Sequence, residues 1–292
     1  VAPLHKQSTR LADGTTIPIY RSSRLADEGF PHGFSTRLGG VSEGPFATLN
    51  LGLSLAADGR PTTPDEAARV EANLSRFLDA CGCSLRTAVR VRQVHGARCL
   101  DAARCATTAP FDDADALVSI DPAKAILVRT ADCVPVLVAD PASGGVAAIH
   151  AGWRGIVGGV LEAAVHALSS VAGATERSNW IAAIGPSISV EVYEVGAEVA
   201  DAFSARGLDA CVDRSRARAH VDCHRATSML LERCGLSAKR IDGEPLCTFL
   251  GRDEFFSARR DGAVSGRLAA AIAPRELSDR PSRPPLRDTR PG

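Results

Sequence analysis

Thr130-Ala-Asp-Cys-Val-Pro-Val-Leu-Val-Ala-Asp-Pro-Ala-Ser-Gly-Gly-Val-Ala-Ala-Ile-His-Ala-Gly-Trp-Arg-Gly155 is the stretch from which the rest of the chain reads. Residues 134–139 and 146–149 are short apolar runs, and residues 141–145 between them have turn composition. An antiparallel hairpin of two buried strands is therefore predicted. With a turn symmetric about Ser143, Cys133 and His150 fall three residues off direct pairing at the same open end. A modest bend or bulge then lets both reach one ion. His95, in Gln93-Val-His-Gly96, also sits where a β-like run meets a glycine. One thiolate and two imidazoles suit zinc, and three protein ligands leave a fourth position for chemistry. Each residue also has a plainer reading, Cys133 as a core thiol and His150 as a hydrogen-bonded strand-end histidine. Their joint placement beside Asp132 and a pair of glycines favours the metal.

At 292 residues the chain is long enough for one large domain or two small ones. A hydrophobic content of 45%, mean hydropathy near zero and zero net charge describe a soluble globular enzyme. No charge field argues for nucleic acid or an anionic membrane as partner. No apolar run approaches the roughly 20 residues of a bilayer span, and no secretory leader shows, so a cytoplasmic location is expected. The nine cysteines are an odd number without framework spacing, so free thiols are expected. Cys81-Gly-Cys83 lacks the spacing of a zinc knuckle.

Residues 1–15 are polar and expected to be flexible. Residues 274–292 are rich in proline and charge and expected to be disordered. Between them, residues 16–273 are expected to form the folded domain. Val70, Leu74, Phe77 and Leu78 have the spacing of an amphipathic helix within residues 65–81. A second apolar stripe runs through Val157, Val160, Leu161, Ala164, Val165 and Leu168, and a third helix is expected over 222–234 with Asp222 as N-cap. Residues 115–119, 125–128 and 180–184 are strand-like. Strands and helices alternate without βαβ regularity, which favours a mixed-sheet α/β or α+β domain over a dinucleotide-binding fold.

Other constellations keep two readings each. Residues 152–155 lead into a helix, where free N–H groups and Arg154 suit an anion, although a tight turn with a solvated arginine explains them too. Arg37, in Ser35-Thr-Arg-Leu-Gly-Gly40, is a phosphate cradle or a turn arginine. Asn50 is a substrate contact or an Asx-turn residue. His220 and His224 beside Asp222 form a second ion site or an incidental helix start. Residues 259–262 are an anion clamp or a surface turn with an ion pair.

In this order, several motifs resemble the YfiH-like or laccase-domain family, also described as multicopper polyphenol oxidoreductase-like. They are Phe34-Ser-Thr-Arg-Leu-Gly-Gly-Val-Ser42, Leu49-Asn-Leu-Gly52, Gln93-Val-His-Gly96, Asp113-Ala-Asp-Ala-Leu-Val118, Thr130-Ala-Asp-Cys-Val-Pro135, Ala148-Ile-His-Ala-Gly-Trp-Arg-Gly155, Ile184-Gly-Pro-Ser-Ile188 and Phe255-Phe-Ser-Ala-Arg-Arg-Asp-Gly262. The resemblance covers roughly residues 30–272. It implies a single-domain four-layer α/β/β/α fold with mixed β-sheets, shared with the catalytic domain of cytotoxic necrotising factors. It also implies a zinc site whose ligands match His95, Cys133 and His150. Members are described as purine nucleoside phosphorylases that also deaminate adenosine and cleave methylthioadenosine, and some bacterial ones as peptidoglycan editing factors. This chain departs from the pattern at Ala258, where a tyrosine is usual, and at Thr227 and Leu230, where asparagine and glutamine often stand.

The expected activity is zinc-dependent phosphorolysis of adenosine, inosine or methylthioadenosine, with adenosine deamination in the same pocket. Purine nucleoside and phosphate are then the partners. Arg37, Asn50 and Arg154 are the candidate substrate and phosphate contacts, and Asp132 is a candidate proton relay or partner of a metal ligand. The alternative is a cysteine hydrolase or amidase with Cys133 as nucleophile, acting on peptidoglycan precursors. A copper polyphenol oxidase fits less well. It needs about ten histidines, largely in His-x-His pairs, to hold its coppers, whereas the chain has seven and no such pair.

Overall fold

The computed structural model describes residues 2–52, 67–84, 86–108 and 111–276. The strands are β1 (His5–Arg10), β2 (Thr16–Arg21), β3 (His32–Ser35), β4 (Thr87–Val89), β5 (Cys99–Asp101), β6 (Ala116–Ser119) and β7 (Lys124–Thr130). They continue with β8 (Val134–Ala139), β9 (Val146–Ala151), β10 (Ile181–Ile184), β11 (Val212–Asp213), β12 (His220–Val221), β13 (Ile241–Asp242) and β14 (Leu268–Ile272). The helices are α1 (Ser23–Asp27), α2 (Ala67–Cys81), α3 (Trp153–Gly158), α4 (Val160–Ala172), α5 (Ala197–Ala205), α6 (Cys223–Arg233) and α7 (Ala258–Asp261).

Two six-stranded sheets form, in the orders β1-β2-β3-β14-β7-β4 and β13-β10-β8-β9-β6-β5. Both are mixed. β4 runs parallel to β7, β5 to β6 and β13 to β10, and the other pairs are antiparallel. The period of two in each strand divides the apolar side chains between two faces. Phe34, Ile126, Val128, Leu137, Ala148, Ala183 and Ala270 meet in a core between the sheets. On the far side of the first sheet, Ile19, Leu127 and Ala271 pack on Leu74, Phe77 and Leu78 of α2. On the far side of the second, Val134, Val136, Val138 and Ile149 pack under α3 to α6. The layers are thus α/β/β/α, as the resemblance implied. No helix among the described residues is long and apolar enough to cross a membrane.

The hairpin of β8 and β9 forms as predicted, one register step away from symmetry about Ser143. Pro135 lies opposite His150 and Val134 opposite Ala151. Cys133 therefore comes opposite Gly152, two residues from His150 and on the same face.

Other expectations shift at their boundaries. The stripe after Gly155 is two helices, because Gly159 turns the chain with φ +88° between α3 and α4. Asp222 caps α6 by accepting the Arg225 N–H at 2.8 Å. Residues 5–10, inside the stretch expected to be flexible, form β1 and pair along their length with β2. Pro274 and Arg275, at the start of the expected tail, are buried, and the remainder from residue 277 lies outside the described residues. All nine cysteines are free thiols.

Candidate metal centre

The site lies at the open end of the β8–β9 hairpin. Cys133 and His150 share the face of the second sheet that looks toward the first, since Leu137 and Ala148 on that face belong to the core between the sheets. His95 comes from the irregular segment after β4. Arg92 in that segment bridges to Asp113, ahead of β6. The ligand atoms of His95, Cys133 and His150 lie within 4.8 Å of one another, and the two imidazoles meet edge to face with centroids 4.8 Å apart.

Asp115 organises this cluster. It is fully buried, and its Oδ1 accepts from His150 Nδ1 at 2.8 Å and from the His95 backbone N–H at 2.9 Å. Oδ2 accepts the Gly96 N–H at 2.6 Å, and the Asp115 carbonyl accepts the His150 N–H at 2.8 Å. Burial pushes the Asp115 carboxyl up, but the bonds from His150, Gly96 and His95 outweigh it and hold it below the usual carboxylate range. An ionised carboxylate can only accept, so Nδ1 of His150 carries the proton and Nε2 is left for an ion.

Cys133 is partly exposed. Burial raises its thiol pKa, yet the charge and hydrogen bonding of His150 and His95 prevail and bring it down to about 6. His150 moves the opposite way. Burial opposes its charge, while Cys133 and Asp115 favour it and raise its pKa. The backbone is special at two positions here, with φ +60° at His95 and +92° at Asp132. Such conformations cost about 1–3 kcal/mol for a residue with a Cβ and persist only where surrounding bonds fix them.

Gly152 completes the cluster. A Cβ added there would lie 3.1 Å from both Cys133 Sγ and His95 Cδ2. The absence of a side chain keeps the approach to the three ligand atoms clear.

The other candidates are not among the three clustered ligand residues. Asp132 is spent on scaffolding, with Oδ1 accepting the Thr248 hydroxyl at 2.6 Å and Oδ2 the Arg259 N–H at 2.7 Å. The carboxylate that bonds a ligand imidazole is Asp115, whereas the side-chain bonds of Asp132 among the described residues go to Thr248 and Arg259. Asn50 takes its turn role. It is buried, its Oδ1 accepts the N–H groups of Gly52 and Arg267, and its Nδ2 donates to the Gly52 carbonyl. Arg37 donates to the Ala47 and Arg252 carbonyls and stacks over Phe256 at 4.4 Å. Arg154 is exposed and lies 4.4 Å over the Trp153 ring. His220 is buried against the Arg218 carbonyl, and no ligand cluster forms with Asp222 and His224 among the described residues. Arg260 is a buried staple, donating to the carbonyls of Thr248, Phe249 and Phe255 as well as to Asp261.

A family model described as multi-copper polyphenol oxidoreductase laccase matches residues 31–275. The chain belongs to that family. It is 38% identical over 257 residues to a purine nucleoside phosphorylase of Deinococcus radiodurans, covering 88% of this chain and 92% of that one. It is 37% identical to the purine nucleoside phosphorylase YfiH of Escherichia coli, over 82% and 91% of the two chains. Among solved structures, YlmD of Geobacillus stearothermophilus superposes with a TM-score of 0.77 at 27% identity, over 93% and 100% of the chains. The family's likeness therefore extends over the whole four-layer fold.

Sequence reasoning missed Asp115 as a partner of the candidate ligands, and read Gly152 as part of an anion turn rather than as clearance for Cys133 and His95. Asp115 lay within the quoted Asp113-Ala-Asp-Ala-Leu-Val118, and a carboxylate at the mouth of a buried strand is the available signal. The departures noted for this laccase-family chain fall in different places. Thr227 and Leu230 are buried in α6, whereas Ala258 opens α7 beside Arg259.

Proposed function

We propose that this chain is a zinc-dependent purine nucleoside phosphorylase acting on adenosine, inosine and methylthioadenosine, and that the same pocket deaminates adenosine. The observation that carries this reading is the convergence of His95, Cys133 and His150 within 4.8 Å around a carboxylate-backed imidazole. The relatives' name, purine nucleoside phosphorylase, supports the choice of substrate.

The donor set fits zinc. Zn–S bonds of about 2.3 Å and Zn–N bonds of about 2.0–2.1 Å are within reach after a small closure of the three side chains. Zinc held by His95, Cys133 and His150 would supply Lewis acidity for orienting phosphate and for acidifying a water. Copper polyphenol chemistry fits less well, because among the described residues His95 and His150 are the two histidines that stand in a ligand cluster.

In phosphorolysis the ribose C1′–N9 bond breaks, a phosphate oxygen bonds to C1′, and the purine leaves with a proton. The protein's work is positioning and charge stabilisation. Asp115 fixes the ring of His150 and the backbone of His95 through one carboxylate. In this reading a purine stacks on the ring of Tyr193, over which Arg259 lies at 5.0 Å. Arg154 keeps its guanidinium edge for a substrate hydroxyl or anion. Incubating zinc-loaded protein with adenosine should yield inosine and ammonia with or without phosphate, and with phosphate also adenine, hypoxanthine and ribose 1-phosphate. No turnover in a fully loaded sample would sink the proposal.

A second reading has an observation of its own. Cys133, His150 and Asp115 also stand in the order nucleophile, base and orienting carboxylate. Protection of Cys133 from alkylation by zinc supports the phosphorylase, and a trapped acyl-enzyme with a cell-wall precursor supports the hydrolase.

A further inference from the structure

We propose that Arg129 and Arg267, with Arg90 behind them, form a binding subsite for a phosphate-type dianion on the α2-facing side of the first sheet, one short segment from the His95–Cys133–His150 centre. The inference builds on the phosphorylase reading, which requires phosphate near the metal and leaves its place open.

Arg129 lies near the end of β7, and Arg267 immediately precedes β14. Ala269 is the residue opposite Arg129, so Arg267 is its diagonal neighbour, on the same sheet face as Leu127 and Ala271. Both stems press on Gly52. A Cβ there would meet Arg267 Cγ at 2.5 Å and Arg129 Cδ at 3.6 Å. The Asn50–Gly52 turn holds one of the two in place, since Asn50 Oδ1 accepts the Arg267 N–H at 2.8 Å. Gln93 holds the other by bonding both the N–H and the carbonyl of Arg129, at 2.8 and 2.7 Å. Gln93 is two residues from His95, so one short segment ties the arginine pair to the metal ligands.

The charges are unbalanced. Arg90 is paired with Glu71 at 2.6 Å and stacks on Phe111. Arg267 donates Nη1 to the Ser265 and Gly266 carbonyls. The Arg129 guanidinium has neither hydrogen bond nor ion pair among the described residues. Burial, followed by the charges of Arg90 and Arg267, pushes its pKa down to about 10. Arg267 is also lowered by burial, with Cys133 and Asp132 pulling the other way. A buried cation without a counter-charge is costly, and two guanidiniums side by side are costlier. Arg129 and Arg90 share the carboxylate Glu71, while Arg267 is balanced in part by Cys133 and Asp132, so positive charge is in excess at Arg129, where hydrogenphosphate would complement it. Guanidinium forks match its oxygens in pairs.

The dianion has two sources, free inorganic phosphate or the phosphoryl group of a nucleotide. Calorimetric titration of the zinc-loaded full chain with inorganic phosphate, and separately with adenosine 5′-monophosphate, distinguishes them. Arg129→Gln and Arg267→Gln should each weaken the bound source at least tenfold, and Arg129→Lys should weaken it less. Arg214→Gln, at an exposed ion pair with Asp201, should leave it unchanged. Without added anion, Arg129→Gln should melt at or above the wild-type temperature, because it removes an uncompensated charge. Anion affinity within twofold of wild type in both glutamine variants would overturn the subsite, as would a lower melting temperature with anion binding retained. Should the glutamine variants fail to fold, unchanged affinity in Arg129→Lys is the overturning result. Phosphate bound through Arg129 without nucleoside turnover would leave the subsite standing and remove the phosphorylase reading. Turnover with an unchanged KM for phosphate in Arg129→Gln would do the reverse.

Discussion

The Nδ1 of His150 donates to Asp115 at 2.8 Å, and the same carboxylate oxygen accepts the backbone N–H of His95 at 2.9 Å. One buried side chain thus sets the tautomer of one candidate ligand and the position of another. Asp115→Asn keeps the volume and one acceptor, but its amide no longer enforces the Nδ1–H tautomer. Zinc affinity is expected to fall by about 10–100-fold, read by competition with a chromophoric chelator. Unaltered affinity would mean that Asp115 only ties down backbone.

Gly152→Ala tests the cleared approach to the centre. Its φ of −72° suits alanine, so the backbone is not strained. The added methyl, 3.1 Å from Cys133 Sγ and His95 Cδ2, forces the ligands apart. Turnover should drop on the order of 10²-fold, the usual penalty for a misplacement of about 1 Å. The melting temperature should change little. Equal losses in stability and activity would point to a packing defect.

Asp132→Asn separates scaffolding from chemistry. The asparagine NH2 would confront either the Thr248 hydroxyl or the Arg259 N–H, leaving one donor without its acceptor. A stability loss of about 1–3 kcal/mol is expected in denaturant unfolding, with bound zinc still stoichiometric. A variant of normal stability that retains metal and lacks turnover would restore Asp132 as a proton relay.

His32 gives the fold an acid-sensitive joint. It is fully buried, with Nδ1 donating to the Phe30 carbonyl at 2.8 Å and Nε2 accepting the Ser22 N–H at 2.9 Å, so it must be neutral. Burial is the main cause that lowers its pKa from 6.5 to about 4. The unfolded chain binds this proton more readily, so stability is full above about pH 6.5 and declines as the pH falls toward 4. The decline amounts to roughly 3 kcal/mol. His32→Gln should flatten that part of the curve in urea melts between pH 4 and 7, and an identical slope would remove His32 as the source.

The hairpin that carries Cys133 and His150 was legible because its apolar runs and turn residues lie within one local stretch. α2 was legible from periodicity, as its buried positions Val70, Leu74, Phe77 and Leu78 recur at helical spacing. β1 was not, because its side chains are almost all exposed and its stability comes from main-chain pairing with β2. β14, Leu-Ala-Ala-Ala-Ile, has no alternation because both its faces are buried. At the site, residue type sufficed to bring His95, Cys133 and His150 together as candidates. Asp115 and the Arg129–Arg267 pair escaped notice because their meaning depends on which neighbours are left unsatisfied, and that exists only once distant strands meet.

The insertion of β14 between β3 and β7 bears on the order of synthesis. Leu268 pairs with Thr130, three residues before Cys133. A ribosome therefore completes the entire second sheet while β3 and β7 still lack the strand that joins them. Until residues 268–272 emerge, the floor opposite the candidate ligands is split, and the nascent chain presents the apolar edges of both halves to its surroundings. A chain stopped short of Leu268 should be recovered as aggregate rather than as a weakened enzyme.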